Sequence, residues 1–134
     1  MPRSEEFKNY LQLEPNQAFP GGGRFAILID EHECDQRVRA EVVELEPREH
    51  FPLHVHPKSD HVIMVVSGEG YLSWRGEHRY IVAGDTFVVP LGEIHSIGAG
   101  NKTPLRFVVL NIPPIDFHHS DFMQPIDLDS QKNG

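Results

Sequence analysis

The stretch His54-Val55-His56-Pro57-Lys58-Ser59-Asp60-His61-Val62-Ile63-Met64-Val65-Val66-Ser67-Gly68-Glu69-Gly70 decides how this chain is read. Side chains at i and i+2 of a strand share a face, so His54 and His56 project together while Val55 faces away. Pro57 to Asp60 make a turn, and His61 opens the next strand on the face of Ile63 and Val65. The run Val62 to Val66 is apolar and rich in β-branched residues, the pattern of a strand buried on both faces. Ser67-Gly68-Glu69-Gly70 closes it with a turn.

The same texture continues outward. Upstream, Phe25 to Ile29 is apolar, and Arg37 to Leu45 alternates at first, with Val38, Ala40 and Val42 on one face and Arg39 and Glu41 on the other. Downstream, Tyr71 to Trp74 and Arg79 to Val82 flank Arg75-Gly76-Glu77-His78 as a hairpin, and Ala83-Gly84-Asp85 turns the chain into Phe87-Val88-Val89. His95 comes from a separate hairpin. Leu105 to Leu110 is the last clear strand, ended by Pro113-Pro114 because proline cannot donate to a ladder. Short strands at even spacing, with no long amphipathic helix, predict an all-β sandwich or closed barrel, and a small barrel can hold one ligand.

Composition sets the surroundings. With 134 residues the chain has room for one ordinary domain. Twenty Asp plus Glu against twelve Lys plus Arg give a formal net charge of −8, which disfavours nucleic acid and anionic membrane as partners. The single cysteine, Cys34, has no internal disulfide partner and no neighbour that would make it a nucleophile. The opening Met-Pro-Arg-Ser-Glu-Glu lacks a signal-peptide pattern, and no apolar run approaches the roughly 20 residues of a membrane span. These features predict a cytoplasmic protein.

In their spacing the histidines resemble those of the cupins, small jelly-roll barrels with a metal site inside. The family's first motif is Gly, five residues, His-x-His, three or four residues, Glu, six residues, Gly; His54, His56, the position held by His61, and Gly68 keep that register. The second motif is Gly, five residues, Pro-x-Gly, two residues, His, three residues, Asn; Gly84, Pro90, Gly92 and His95 match it. Arg48 stands where the first motif has Gly, and Ala99 replaces the closing Asn. The substitution that changes the chemistry is His61 for Glu, since a shift of one residue would be needed to bring Asp60 into that place.

The resemblance implies a single-domain jelly-roll β-barrel over 24–112, with an N-terminal arm at 1–23 and a C-terminal tail at 113–134. It implies a homodimer and one divalent metal ion (Zn, Mn, Fe or Ni) held by His54, His56, His61 and His95. Four neutral imidazoles leave the ion's charge uncompensated, which favours Lewis-acid work on a small enolisable or chelating substrate, as in a dioxygenase, cyclase or isomerase. The alternative is a ligand-binding or sensing cupin that holds a sugar or metabolite around a structural metal. Leu72 and Trp74 are expected to line the pocket, by strand parity and family pattern. Glu93 and Asp60 are candidates to orient a ligating histidine through its second nitrogen. His32, His50, His78, His118 and His119 have no spacing partner and read as surface or turn residues, although His118-His119 lies in a tail that can be imagined folding over the barrel mouth. No residue is identifiable as the catalytic base.

Overall fold

Runs of Val, Ile and Phe between glycine- and proline-marked turns become antiparallel strands, as a computed structural model describing residues 7–115 and 124–125 shows. In chain order these are β1 (Gln17–Ala18), β2 (Arg24–Ile29), a 3-10 turn (Glu31–Cys34), β3 (Arg39–Leu45), β4 (His54–Val55), β5 (Asp60–Ser67), β6 (Glu69–Trp74), β7 (Glu77–Val82), β8 (Thr86–Val89), β9 (His95–Ala99), β10 (Leu105–Ile112) and β11 (Gln124–Pro125). One sheet runs β1-β2-β3-β10-β5-β8 and the other β11-β4-β9-β6-β7, the two-layer arrangement of a jelly roll. Among the described residues no helix is long and apolar enough to cross a membrane.

The inner faces of both sheets supply one core. Leu45, Val65, Leu105 and Phe107 come from the first sheet and Leu72, Ile81 and Ile97 from the second. Toward the other end of the strands the inner faces turn polar, with His61 and Asn111 paired across β5 and β10, and His54 and His95 paired across β4 and β9.

Several expectations change in the folded chain. Val62 to Val66 is not buried on both faces: Ile63 and Val65 point inward, whereas Met64 is 38 % exposed. On β3 it is the polar face that looks inward, since Glu41 shares a cavity with Val43, and Ala40 and Val42 lie on the outer face. That outer face is covered as well, because the arm is tied across it where the Arg106 guanidinium donates to the carbonyls of Tyr10 and Leu13. His95 does not come from a hairpin. Its strand inserts between β4 and β6 of the second sheet after crossing over from β8. The β6–β7 turn tightens to Arg75-Gly76, both with positive φ (53° and 72°), a geometry whose twist suits a two-residue hairpin.

The arm at 1–23 is packed over its described residues: β1 pairs with β2, and Lys8 donates to the Leu28 carbonyl. Of the tail, Gln124–Pro125 pairs with His54–Val55, while His118 and His119 lie outside the described residues. Arg48, where the family motif has Gly, keeps a left-handed φ of 70° and donates its N–H to the Gly100 carbonyl.

Gly68 explains itself sterically. Its φ is +83°, and an added Cβ would stand 2.0 Å from the Pro104 carbonyl oxygen. Gly68→Ala is therefore expected to cost about 3 kcal/mol or more, because backbone must move on top of the left-handed penalty. Gly76, with φ +72° and nothing within 4 Å of a Cβ, is the control: Gly76→Ala should cost only about 1 kcal/mol. Denaturant midpoints of the two variants check this, and equal losses would contradict it.

Candidate metal centre

Two sheets bring the four histidines together. His54 on β4 and His95 on β9 are direct cross-strand partners, with ring centroids 4.3 Å apart. His56, two residues after His54, keeps its parity and lies 4.8 Å from the His54 ring and 5.4 Å from the His95 ring. The nitrogens that His54, His56 and His95 can offer lie within 4.8 Å of one another. His61 approaches from the opposing sheet, its ring 4.0 Å from His56 and 5.5 Å from His95. All four side chains are buried.

The ring orientations are held by the main chain. His54 Nδ1 donates to the Pro52 carbonyl at 2.7 Å, and His95 Nδ1 donates to the Glu93 carbonyl at 3.0 Å. A carbonyl only accepts, so each Nδ1 carries the proton and each Nε2 keeps its lone pair for an ion. The carboxylates expected in this role are engaged elsewhere. Glu93 accepts from Trp74 Nε1 at 3.0 Å and from Arg75 Nε at 2.7 Å, and Asp60 accepts from the Leu91 N–H at 2.9 Å. Glu93 thus orients His95 through its backbone and not through its side chain.

Burial also fixes the charge state. It pushes His54 down to about 4, helped by the nearby His95. It likewise pushes His61 well below the ordinary imidazole value, with His56, His95 and His54 adding to the shift. His95 is lowered too, chiefly by burial. Neutral imidazoles at pH 7 are the form that binds a metal. Neither ring nitrogen of His61 has a hydrogen-bond partner among the described residues. Such a buried orphan is uncommon in a satisfied core, and a bound cation would give one of them a partner. The donor set therefore fits a divalent ion. The surface group Asp30, Glu31 and His32 is different, since Asp30 and Glu33 form the capping box of the 3-10 turn.

The histidines line a cavity of about 50 Å³, room for a few waters or a comparably small molecule. Val43, Phe51, Ile63, Ile97, Phe107 and Val109 make its apolar wall. Leu72 and Trp74 are not among the lining residues. Both face inward as their parity requires, but Leu72 sits in the core away from the histidines. Trp74 packs under the Arg75 guanidinium, 4.2 Å from the ring centroid, and lines an outer groove instead.

Glu41, unassigned from the sequence, is the carboxyl that the cavity does contain. Its signal was parity: it lies two and four residues before Val43 and Leu45 on one strand face. Burial raises it to about 7. Arg39, 3.8 Å away, opposes the shift but is shared with Glu31 at 3.2 Å, so desolvation wins.

Comparison with known proteins agrees with this architecture. The Cupin_2 family model, described as a cupin domain, matches residues 41–111. Germin-like protein 3-8 of Oryza sativa subsp. japonica is 43% identical over 58 residues, which is 40% of this chain and 26% of that protein. The chain thus spans about a quarter of that relative's length. A crystal structure from Thermotoga maritima described as a predicted oxalate decarboxylase superposes with a TM-score of 0.65 at 27% identity, over 69% of this chain and 81% of that one. The polyketide cyclase RemF from Streptomyces resistomycificus superposes with a TM-score of 0.67 at 22% identity, over 91% and 90%. With the family match covering more than half of its length, and all four motif histidines gathered between its two sheets, the chain belongs to the cupins.

Proposed function

We propose that this cupin is a divalent-metal-dependent enzyme acting on a small chelating or enolisable organic molecule. The observation that carries the reading is the convergence of His54, His56 and His95 nitrogens within 4.8 Å at the wall of a narrow, mostly apolar cavity. His61 joins them as the fourth donor in this reading. A divalent ion there supplies Lewis acidity toward an oxygen of the bound molecule. The chain's own part is to hold four imidazole donors, those of His54 and His95 in fixed tautomers, to exclude bulk water with Phe51, Phe107 and Val109, and to admit only a compact ligand. The likeness to RemF and to the T. maritima protein supports chemistry on a small organic molecule, since one is named as a polyketide cyclase and the other as a predicted oxalate decarboxylase.

The second reading is a cupin that binds a metabolite around a structural metal without changing it. Oxygen uptake and product analysis separate the two. Protein loaded in turn with iron, manganese, nickel or zinc is assayed with diketones, catechols, flavonols and sugars. Turnover by at least one metal form, strongest with the smallest chelating substrates, is expected. Binding without turnover in every combination would establish the second reading.

A further inference from the structure

On the first sheet's inner face, in the cavity that the histidines share, lie Glu41 of β3 and Asn111 of β10. In register Glu41 pairs with Val109 and Asn111 with Arg39, so the two are diagonal neighbours on one face. The Asn111 amide donates to Glu41 Oε1 at 3.1 Å, which satisfies one polar atom of each. The others, Glu41 Oε2 and Asn111 Oδ1, are buried with no hydrogen-bond partner among the described residues. The Glu41 side chain is 3% exposed, and Asn111 is 1% exposed. Asn111 is also the cross-strand partner of His61, which puts this polar pair beside the imidazoles. Two buried oxygens left unmet in an otherwise apolar wall are costly to keep unless a ligand meets them.

We infer that Glu41 and Asn111 are the second half of the ligand site, binding a hydroxyl of a small hydroxy-carbonyl compound whose carbonyl end faces the histidines. This rests on the metal-site reading and deepens it by naming the ligand's donor group. Compact dicarboxylates are disfavoured, because their oxygens would face acceptors and a carboxyl that can itself be ionised.

The test compares hydroxyacetone with 2-butanone, which keeps the carbonyl and carries a methyl group of similar size in place of the hydroxyl. Binding to zinc-loaded protein is measured by ligand-observed NMR titration, with zinc content determined on the same samples. Wild type is expected to prefer hydroxyacetone by about tenfold or more, because a site built around hydrogen-bonding groups rejects the analogue that leaves them unpaired. The double variant Glu41→Leu, Asn111→Leu should lose that preference at unchanged zinc content. Glu41→Gln, which preserves size and the contact to Asn111, should reduce it several-fold and decides the matter if the double variant does not fold. Equal binding of the two probes by zinc-loaded wild type, binding of neither, or a preference that survives in the variants would overturn the inference. Wild type that takes up no zinc would instead overturn the metal-site reading.

Discussion

His95→Ala is expected to lower affinity for zinc by roughly a hundredfold or more, enough to leave purified protein nearly metal-free. Structural zinc sites gain on the order of 10–16 kcal/mol from about four ligands, so one imidazole is worth several kcal/mol where the others are already in place. His95 is the demanding choice because it is central: it faces His54 across the strand pair and lies near both His56 and His61. His54→Ala should behave the same way. His78→Ala is the control, since that ring lies at the surface beside the Ser73 hydroxyl and Tyr71. Metal analysis after dialysis against a weak chelator reads all of these directly. Bound zinc should also raise the Tm of wild type and leave that of His95→Ala almost unchanged. Equal metal content in wild type, His54→Ala and His95→Ala would remove the site.

Glu41→Gln should stabilise the metal-free protein at alkaline pH and do nothing in acid. In the fold the Glu41 carboxyl titrates near 7 instead of its ordinary 4.5. The unfolded chain thus loses this proton first as pH rises. Between those two values the ionised unfolded state is favoured progressively, and above about 7 the penalty is complete. Spread over that interval it amounts to about 3 kcal/mol, by the linkage between pKa shift and stability. The glutamine amide of the variant carries no such penalty while preserving volume and a hydrogen bond to Asn111. Urea unfolding of chelator-treated wild type and Glu41→Gln should coincide near pH 4 and diverge by pH 8, with the variant more stable. A parallel pair of curves across that range would mean the carboxyl ionises in the fold as easily as in water. A stabilising loss of a buried acid is also what a group retained for ligand binding is expected to show.

Most of the strands were legible because hydrophobic runs and turn residues are local signals. Phe25 to Ile29 and Leu105 to Leu110 fall within β2 and β10, and Gly76 marks the tight turn. Facing was harder to read. Alternation along β3 shows two faces and does not say which one is inside, and here the apolar outer face is buried too, with Val42 at 0% and Val108 at 6% exposure. That double burial is why Glu41 escaped notice. Val62 to Val66 shows the reverse case, uniformly apolar in sequence yet with Met64 on its outer face left 38 % exposed. Leu72 and Trp74 lie on the inward face that parity gives them, but Leu72 pairs with Ile97, away from the histidines, and Trp74, although opposite His95, is drawn to the outer groove by Glu93 and Arg75, contacts that no local pattern encodes.

The sequence by itself determined an all-β chain with histidines able to ligate a metal, because strand parity and imidazole chemistry are properties of the chain at short range, and the cupin reading came from the resemblance of its motif spacing. Only the tertiary structure decided that His61 reaches His56 from the opposing sheet, and that backbone carbonyls of Pro52 and Glu93 fix the ring tautomers. It alone put Glu41 and Asn111 beside the histidines. The reason is physical: every residue carries a carbonyl and every strand has two faces, so which ones meet is set by sheet pairing and by what covers the outside.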